Sequence, residues 1–316
     1  MEILDSAAYL TALMRAERPG KSAILAFYDH RVGAIGTDPA HLLIPLDDHI
    51  CHRGDGLFES LCFRDGRLFV LDAHLERLQN GAQALGITPP CTFSEIGEIA
   101  IAVARASKLA NGDLRIFLSR GPGGFGVSPS ECPRAGLYVV AIRAKEQRPD
   151  LYTKGLTAFT SAIPPKQEYL ARIKNTNYLP NVFMAKEAAD KGMDVAVSFD
   201  DQGILGEAAV ANIALLDCEG TFVCPEFSRI LPGTTLLHAM RLVAKTGKVV
   251  QKPIRHEDLF AADEVVLLTS STLCVGVRSF DDKLLGRGDH LGKPGPFAHM
   301  LKDKLWTSYC ESGILL

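Results

Sequence analysis

The sequence predicts an α/β chain of two domains, and three observations carry that reading. Short apolar runs bounded by turn residues alternate with stretches of helical period along most of the 316 residues. A polar stretch with a proline, KEQRPDLYTKG, separates two such regions near mid-chain. The length and the 47% hydrophobic content suffice for two modest cores. The predicted division is a small N-terminal domain over 1–145, a linker at 146–150 and a larger domain over 151–316.

Residues 1–20 carry AAYLTAL among charged residues, which predicts an added surface helix. SAILAFYD, LFESLCF and RLFVLD are predicted strands, with turns at Asp55-Gly56 and Asp65-Gly66. DAHLERLQNGAQALGI has helical period, with Leu75, Leu78, Ala82 and Leu85 on one face and Asp72 as N-cap. FSEIGEIAIAVARASKLA predicts a second helix, ended by Asn111-Gly112. LRIFLSR and GLYVVAIRA read as strands. Beyond the linker come a strand at LTAFTSAI, a helix at YLPNVFMAKEAADKG and a strand pair of DVAVSFD with VANIALLD. TTLLHAMRLVAKTG is a further helix and ADEVVLLTSS a further strand.

Several function classes fall away. A formal net charge of -3 presents no field for a polyanion, so nucleic acid is not an expected partner. No uncharged run reaches the roughly 20 residues that span a bilayer, and no leader pattern opens the chain, so a cytoplasmic protein without membrane contact is expected. The eight cysteines form no CxxC pair, which predicts reduced, mostly buried thiols and no zinc site. Gly121, Gly123 and Gly126 satisfy G-x-G-x-x-G after a strand, but VSPSECPRAG follows, and its two prolines preclude the helix that a dinucleotide needs.

Four features could carry chemistry. Lys174, in EYLARIKNTNYLP, lies in an apolar stretch where desolvation would make a nucleophilic amine. Glu207 is a lone acid between apolar runs in GILGEAAVANI, and Arg77 in AHLERLQ could fork onto a phosphate. LPGTT at 231–235 could offer amides and hydroxyls to an anion at a helix start. On residue chemistry alone, each is more simply a solvated lysine, a turn acid, a helical arginine and an N-cap.

In combination these segments resemble the class IV pyridoxal-phosphate enzymes, which include branched-chain aminotransferases, D-amino acid transaminases and aminodeoxychorismate lyases. The resemblance runs from about residue 45 to 290. RGDGLFESLCFRDGRLFVLDAHLERL resembles the family's N-terminal signature, with Arg77 as its phosphate-binding arginine. ARIKNTNYL resembles the segment of the Schiff-base lysine, here Lys174. GILGEAAVANI resembles that of the glutamate paired with the pyridine nitrogen, here Glu207, followed by the matching Asn212. ILPGTTL resembles the phosphate-cup turn with Thr234 and Thr235, and DEVVLLTSS the last phosphate-side loop with Ser270 and Ser271. The 33-residue separation of Lys174 and Glu207 resembles the family's.

The resemblance implies a fold-type IV enzyme, pyridoxal 5'-phosphate as cofactor and a homodimer. It implies transamination between an α-amino acid and a 2-keto acid, or alternatively a lyase releasing pyruvate and 4-aminobenzoate from aminodeoxychorismate. Phe58 stands where D-amino acid transaminases carry a carboxylate-binding tyrosine, and SRGPGGFG lacks their arginine–histidine pair, which points away from D-alanine. Asn177-Tyr178 follow Lys174 one residue sooner than in the branched-chain enzymes, and Tyr178 is a candidate lining residue. SRGPGGFGVSPS most resembles the lyase loop. However, Phe125 replaces an arginine common there, and Glu59 and Ser60 replace paired threonines. Arg120 and Arg134 are the nearest candidates for substrate carboxylate recognition, with His52 and Arg53 behind them. Residues 1–20 and 33–44 read as additions to the common core.

Overall fold

The computed structural model describes residues 1–316. Two compact units make up the chain, one of 1–144 with 314–316 and one of 145–313. The first opens on α1 (Ser6–Arg15), a surface helix that buries none of its residues. It continues through β1 (Ile24–Asp29), β2 (Ala34–Gly36), the one-turn α2 (His49–His52), β3 (Gly56–Arg64) and β4 (Arg67–Leu68). Two helices follow, α3 (Leu71–Leu85) and α4 (Phe93–Ala106), then β5 (Gly112–Ser119) and β6 (Gly136–Arg143). The strands are antiparallel in the order β4-β3-β5-β6-β1-β2.

Period-2 alternation sets the buried face of β3: Leu57, Glu59, Leu61 and Phe63 are each 1% exposed or less. Three of the four are apolar, and the fourth is a carboxylate. Across from them α3 presents His74, Leu78 and Gly81, with Gly81 close against Leu57.

Local expectations need correction at four places. RLFVLD is a strand only at Arg67–Leu68, because Val70 adopts a left-handed backbone (φ 46°) and turns the chain into α3. That conformation is strained for a β-branched residue, and it lets Phe69 and Leu71 on either side both be buried. Asp72 therefore lies within the first turn rather than at the N-cap. Asp65-Gly66 forms the expected β3–β4 hairpin, but Asp55-Gly56 makes none, since Gly56 is the first residue of β3. α4 starts on a reciprocal Thr92–Glu95 capping box and stops at Ala106, before Asn111-Gly112; Asn111 instead accepts from the Asp65 N–H.

The second unit opens with α5 (Leu151–Lys154), β7 (Leu156–Thr160), α6 (Glu168–Ala171), α7 (Leu179–Lys191), β8 (Val195–Phe199), β9 (Leu205–Ala208), β10 (Asn212–Leu216) and β11 (Phe222–Cys224). It proceeds through α8 (Thr234–Val243), β12 (Val249–Gln251), α9 (His256–Ala261), β13 (Glu264–Thr269), β14 (Leu273–Phe280), β15 (Lys283–Leu284) and α10 (Pro296–Ser312). Its mixed sheet runs β12-β11-β10-β13-β14-β7-β8-β9, with β15 on β14; β7 pairs in parallel with both β8 and β14. DVAVSFD and VANIALLD are both strands but not partners: β8 pairs with β7 and β9, and β10 with β11 and β13. The core gathers Ala158, Val197, Leu205, Ile213, Val265 and Val275.

Helix α10 and strand β14 were not anticipated. Leu301, Leu305 and Tyr309 mark the buried face of α10, a four-residue spacing readable in the sequence. The Glu264 carboxylate accepts from the Phe297 and Ala298 amides at its start (2.8 and 2.9 Å). The last residues leave the expected second domain: β16 (Ile314–Leu315) pairs with β4 in the first sheet. Arg148, expected in the linker, is bound to Asp194 of the second unit at 2.7 Å.

No helix is long and apolar enough to cross a membrane. All eight cysteines are thiols, of which only Cys62, Cys224 and Cys274 are buried, fewer than expected.

Candidate active site

Lys174 sits in the tight segment between α6 and α7. Asn175 shapes that segment. It is 1% exposed, its amide donates to the Leu170 and Ile173 carbonyls, and its oxygen accepts from the Asn177 N–H. With the loop clamped from inside, the lysine side chain is half-buried and its Nζ donates to the Tyr178 hydroxyl at 3.2 Å. Tyr178 precedes α7, whose first turn holds Pro180, where a missing N–H costs nothing.

Glu207 lies on β9, and its backbone is fixed by one side chain. Ser198 Oγ accepts from the Glu207 N–H (3.2 Å) and donates to its carbonyl (3.0 Å). The Glu207 carboxylate accepts from the Leu231 N–H at 3.2 Å. The Leu231 carbonyl in turn accepts from the buried Asn212 amide at 2.9 Å. One backbone unit thus joins Glu207 to Asn212. Two residues on, Gly233 lies so close to Asn212 that a side chain there would sit 1.9 Å from Oδ1.

Thr234 and Thr235 then open α8, both buried, and Gly233 supplies no side-chain cap. The first-turn amides of a helix have no partner within it, and its dipole favours an anion there. The Thr235 hydroxyl also accepts from Tyr309 of α10 at 3.5 Å.

Lys166 is a residue that sequence reasoning missed. Its Nζ lies 4.3 Å from the centre of the Tyr178 ring, the same ring that Lys174 approaches. Burial pushes its ammonium below the usual lysine range, and the Glu207 charge partly opposes that. Lys166, Tyr178 and Glu207 therefore form one electrostatic neighbourhood with Lys174. The available signal was its place in an apolar, proline-rich run, IPPKQEYL.

Ser270 and Ser271 occupy the β13–β14 turn, which Thr269 and Thr272 close with a 2.7 Å hydrogen bond. Asn212 pairs with Leu268, so this turn lies at the same end of the sheet as Asn212.

In the first unit Arg77 forks onto the buried Glu59, through Nε at 2.8 Å and Nη2 at 2.6 Å. His74 donates to the same carboxylate at 2.6 Å. Phe58 stacks against Phe117 on the neighbouring strand, with ring centres 6.1 Å apart. Arg120 binds Asp55 and the Leu85 and Gly86 carbonyls that end α3, which engages its guanidinium within the first unit. Arg134 is exposed, and its carbonyl occupies the space that a side chain at Gly121 would need. Phe125 is exposed with its ring 5.3 Å from His52, and Arg53 donates to the Phe125 and Gly126 carbonyls. The glycine-rich loop is thus tied to α2, and a one-turn 3-10 helix and then β6, not an α-helix, come directly after it.

The sequence matches the model of the amino-transferase class IV family over residues 56–280. It is 35% identical over 295 residues to a chloroplastic D-amino-acid transaminase of Arabidopsis thaliana, covering 90% of this chain and 77% of that one.

The chain belongs to the class IV aminotransferases.

A putative branched-chain-amino-acid aminotransferase of Methanocaldococcus jannaschii is 28% identical over 281 residues, 88% of this class IV chain and 95% of that one. Among solved structures, the branched-chain amino acid aminotransferase from Escherichia coli matches with a TM-score of 0.81 at 21% identity, over 90% of this chain and 94% of that one. The likeness shows the two-domain fold-type IV architecture with its mixed sheet.

Proposed function

We propose that this class IV chain is a pyridoxal 5'-phosphate-dependent aminotransferase, moving the amino group between an α-amino acid and a 2-keto acid, with Lys174 as the residue bonded to the cofactor. The observation that carries the reading is the bridge at Leu231, whose N–H meets the Glu207 carboxylate and whose carbonyl meets Asn212. It makes the acid and the start of α8 parts of one hydrogen-bonded unit. An acid for a ring nitrogen and a helix start for a phosphate are what the two ends of this cofactor require.

The residues present fit the group. Glu207 would keep the pyridine nitrogen protonated. The first turn of α8, with Thr234 and Thr235, and the Ser270–Ser271 turn would hold the phosphate. When bound, the cofactor supplies an electron sink for the charge left at the substrate α-carbon. Lys174 Nζ takes the α-proton as general base, and the Tyr178 hydroxyl orients that amine. Lys166 adds positive charge beside Tyr178 and Glu207. The same reading extends to a homodimer, which light scattering checks.

A paired assay tests the activity. L- and D-amino acids, each with 2-oxoglutarate or pyruvate, should exchange amino and keto groups. Both configurations belong in the panel, because a relative named as a D-amino-acid transaminase shares 35% of its residues over this alignment while Phe58 lacks a hydroxyl. Pyruvate released from aminodeoxychorismate with no amino acceptor would replace the transaminase reading by the lyase. Borohydride treatment of the coloured protein should fix the cofactor mass on Lys174, and Lys174→Ala should abolish both colour retention and exchange. An adduct on another lysine would refute the assignment.

A further inference from the structure

Between β7 and α6 the chain runs as SAIPPKQ, and the fold pins it on both sides of Lys166. The Ser161 hydroxyl donates to the Glu187 carboxylate of α7, and the Ala162 N–H donates to the same group at 3.1 Å. Pro165 then packs against β9, where a side chain at Gly206 would lie 3.0 Å from its Cβ. Gly206 immediately precedes Glu207, so this contact delivers Lys166 beside that acid. On the far side, the Gln167 carbonyl accepts from the Leu170 and Ala171 amides, both at 2.9 Å, and opens α6. Pro164 and Pro165 fix φ just ahead of the lysine. The Lys166 side chain thus leaves a braced backbone, and its Nζ comes to 4.3 Å from the centre of the Tyr178 ring.

Tyr178 receives a second cation. Lys174 Nζ lies 5.5 Å from the same ring centre and donates to the hydroxyl at 3.2 Å. The ring quadrupole attracts each ammonium group. The two groups repel each other, and in a partly buried place water and salt screen that repulsion weakly. Burial pushes the Lys166 ammonium below the usual lysine range, while the Glu207 charge favours its charged form. Glu207 of β9, Tyr178 and Lys174 are the titratable groups gathered around Lys166. Its charge is therefore sustained by Glu207 and felt by Lys174.

We propose that Lys166 is a positioning residue for Lys174: it packs the Tyr178 ring that receives the Lys174 amine, and its charge lowers the proton affinity of that amine. In its purpose the proposal rests on the reading of Lys174 as the residue bonded to the cofactor. An amine must be unprotonated to attack a carbonyl carbon or to take up a proton. A lysine beside a second cation meets that need nearer neutral pH than a solvated lysine does.

Full-length wild type, Lys166→Met and Lys166→Arg are compared, first freed of cofactor and then with pyridoxal 5'-phosphate bound. In the cofactor-free protein, an acylating reagent labels Lys174 across a pH series, and mass spectrometry reads the occupancy of that site. Lys166→Met keeps the length of the side chain and loses its charge. Labelling of Lys174 at neutral pH should fall on the order of fivefold to tenfold, with the profile displaced to higher pH. Lys166→Arg should restore the wild-type profile. With cofactor bound, the midpoint of the pH-dependent change in its absorbance should rise in Lys166→Met and not in Lys166→Arg. Thermal unfolding is followed in parallel.

A Lys174 profile in Lys166→Met equal to wild type would overturn the proposal. A loss that Lys166→Arg shares would overturn it too, since it would show that Lys166 only packs the loop. Should Lys166→Met not fold, Lys166→Gln makes the same comparison. Borohydride reduction reports separately on the proposed function. An adduct on another lysine would refute that reading, while the labelling profile of the cofactor-free protein would still decide whether Lys166 governs the Lys174 amine.

Discussion

At Glu59 burial and charge pull in opposite directions. Burial alone would raise its carboxyl, but the Arg77 charge and fork, with the His74 hydrogen bond, outweigh it and hold the group at about 2. The unfolded chain takes up that proton near the ordinary value of 4.5. Glu59 therefore contributes stability fully above that value, and the contribution is lost as pH falls toward 2. Urea unfolding of wild type and Glu59→Gln should differ on the order of 3 kcal/mol at neutral pH, and the two curves should converge near pH 2. A second prediction concerns Lys166. Its lowered proton affinity should let an acylating reagent label it below the pH that an ordinary lysine requires, with site occupancy read by mass spectrometry. Lys174 and Glu207 were legible through segments of sequence in register. Glu59 was legible only as a break in an alternating apolar strand, and its purpose depended on which helix packed against it.

Among the elements, α8 shows how a short turn sets where a helix starts. Its start is fixed by Asn212 of β10 and approached closely by Gly233, both of which precede the helix. Gly233→Ala places a methyl 1.9 Å from Asn212 Oδ1, so the Asn212–Leu231 bond must give way. Phosphate-dependent cofactor affinity should fall on the order of tenfold, while α8 itself, which begins after the glycine, should persist by circular dichroism. Helices α3, α4, α7 and α8 were readable because their hydrophobic period is local, and α4 also carries its Thr92–Glu95 capping box. The strand at Arg67–Leu68 was overestimated because the left-handed Val70 is a tertiary decision: no turn residue marks it, and the burial of Phe69 and Leu71 holds it there.

For the whole molecule, strand order and the return of the chain end matter most. β16 adds to the free edge of β4, the Leu316 N–H donates to the Gly66 carbonyl at 2.8 Å, and Arg105 donates to the Leu315 carbonyl. Deleting 314–316 should lower stability by about 1–3 kcal/mol, measured by urea unfolding. An unchanged midpoint would show that the edge pairing contributes nothing. The expected partnership of β8 and β10 failed because hairpin logic joins neighbours in sequence. Here β9 intervenes between them in the chain, and β13, β14 and β7 separate them in the sheet.

The sequence by itself determined the periodic elements, the two α/β regions and the family register that runs through Lys174, Glu207 and the LPGTT turn. These are properties of residue type and linear spacing, and they need no knowledge of what faces what. Only the tertiary structure decided that Leu231 bridges Glu207 and Asn212, that Lys166 shares Tyr178 with Lys174, and that Glu59 holds Arg77. Glu59 and Arg77 are 18 residues apart, and Glu207 and Leu231 are 24. The physical reason is that contacts over such distances exist only once the strand order and the helix face are set, and both are chosen by the burial of the whole core rather than by any local run of residues.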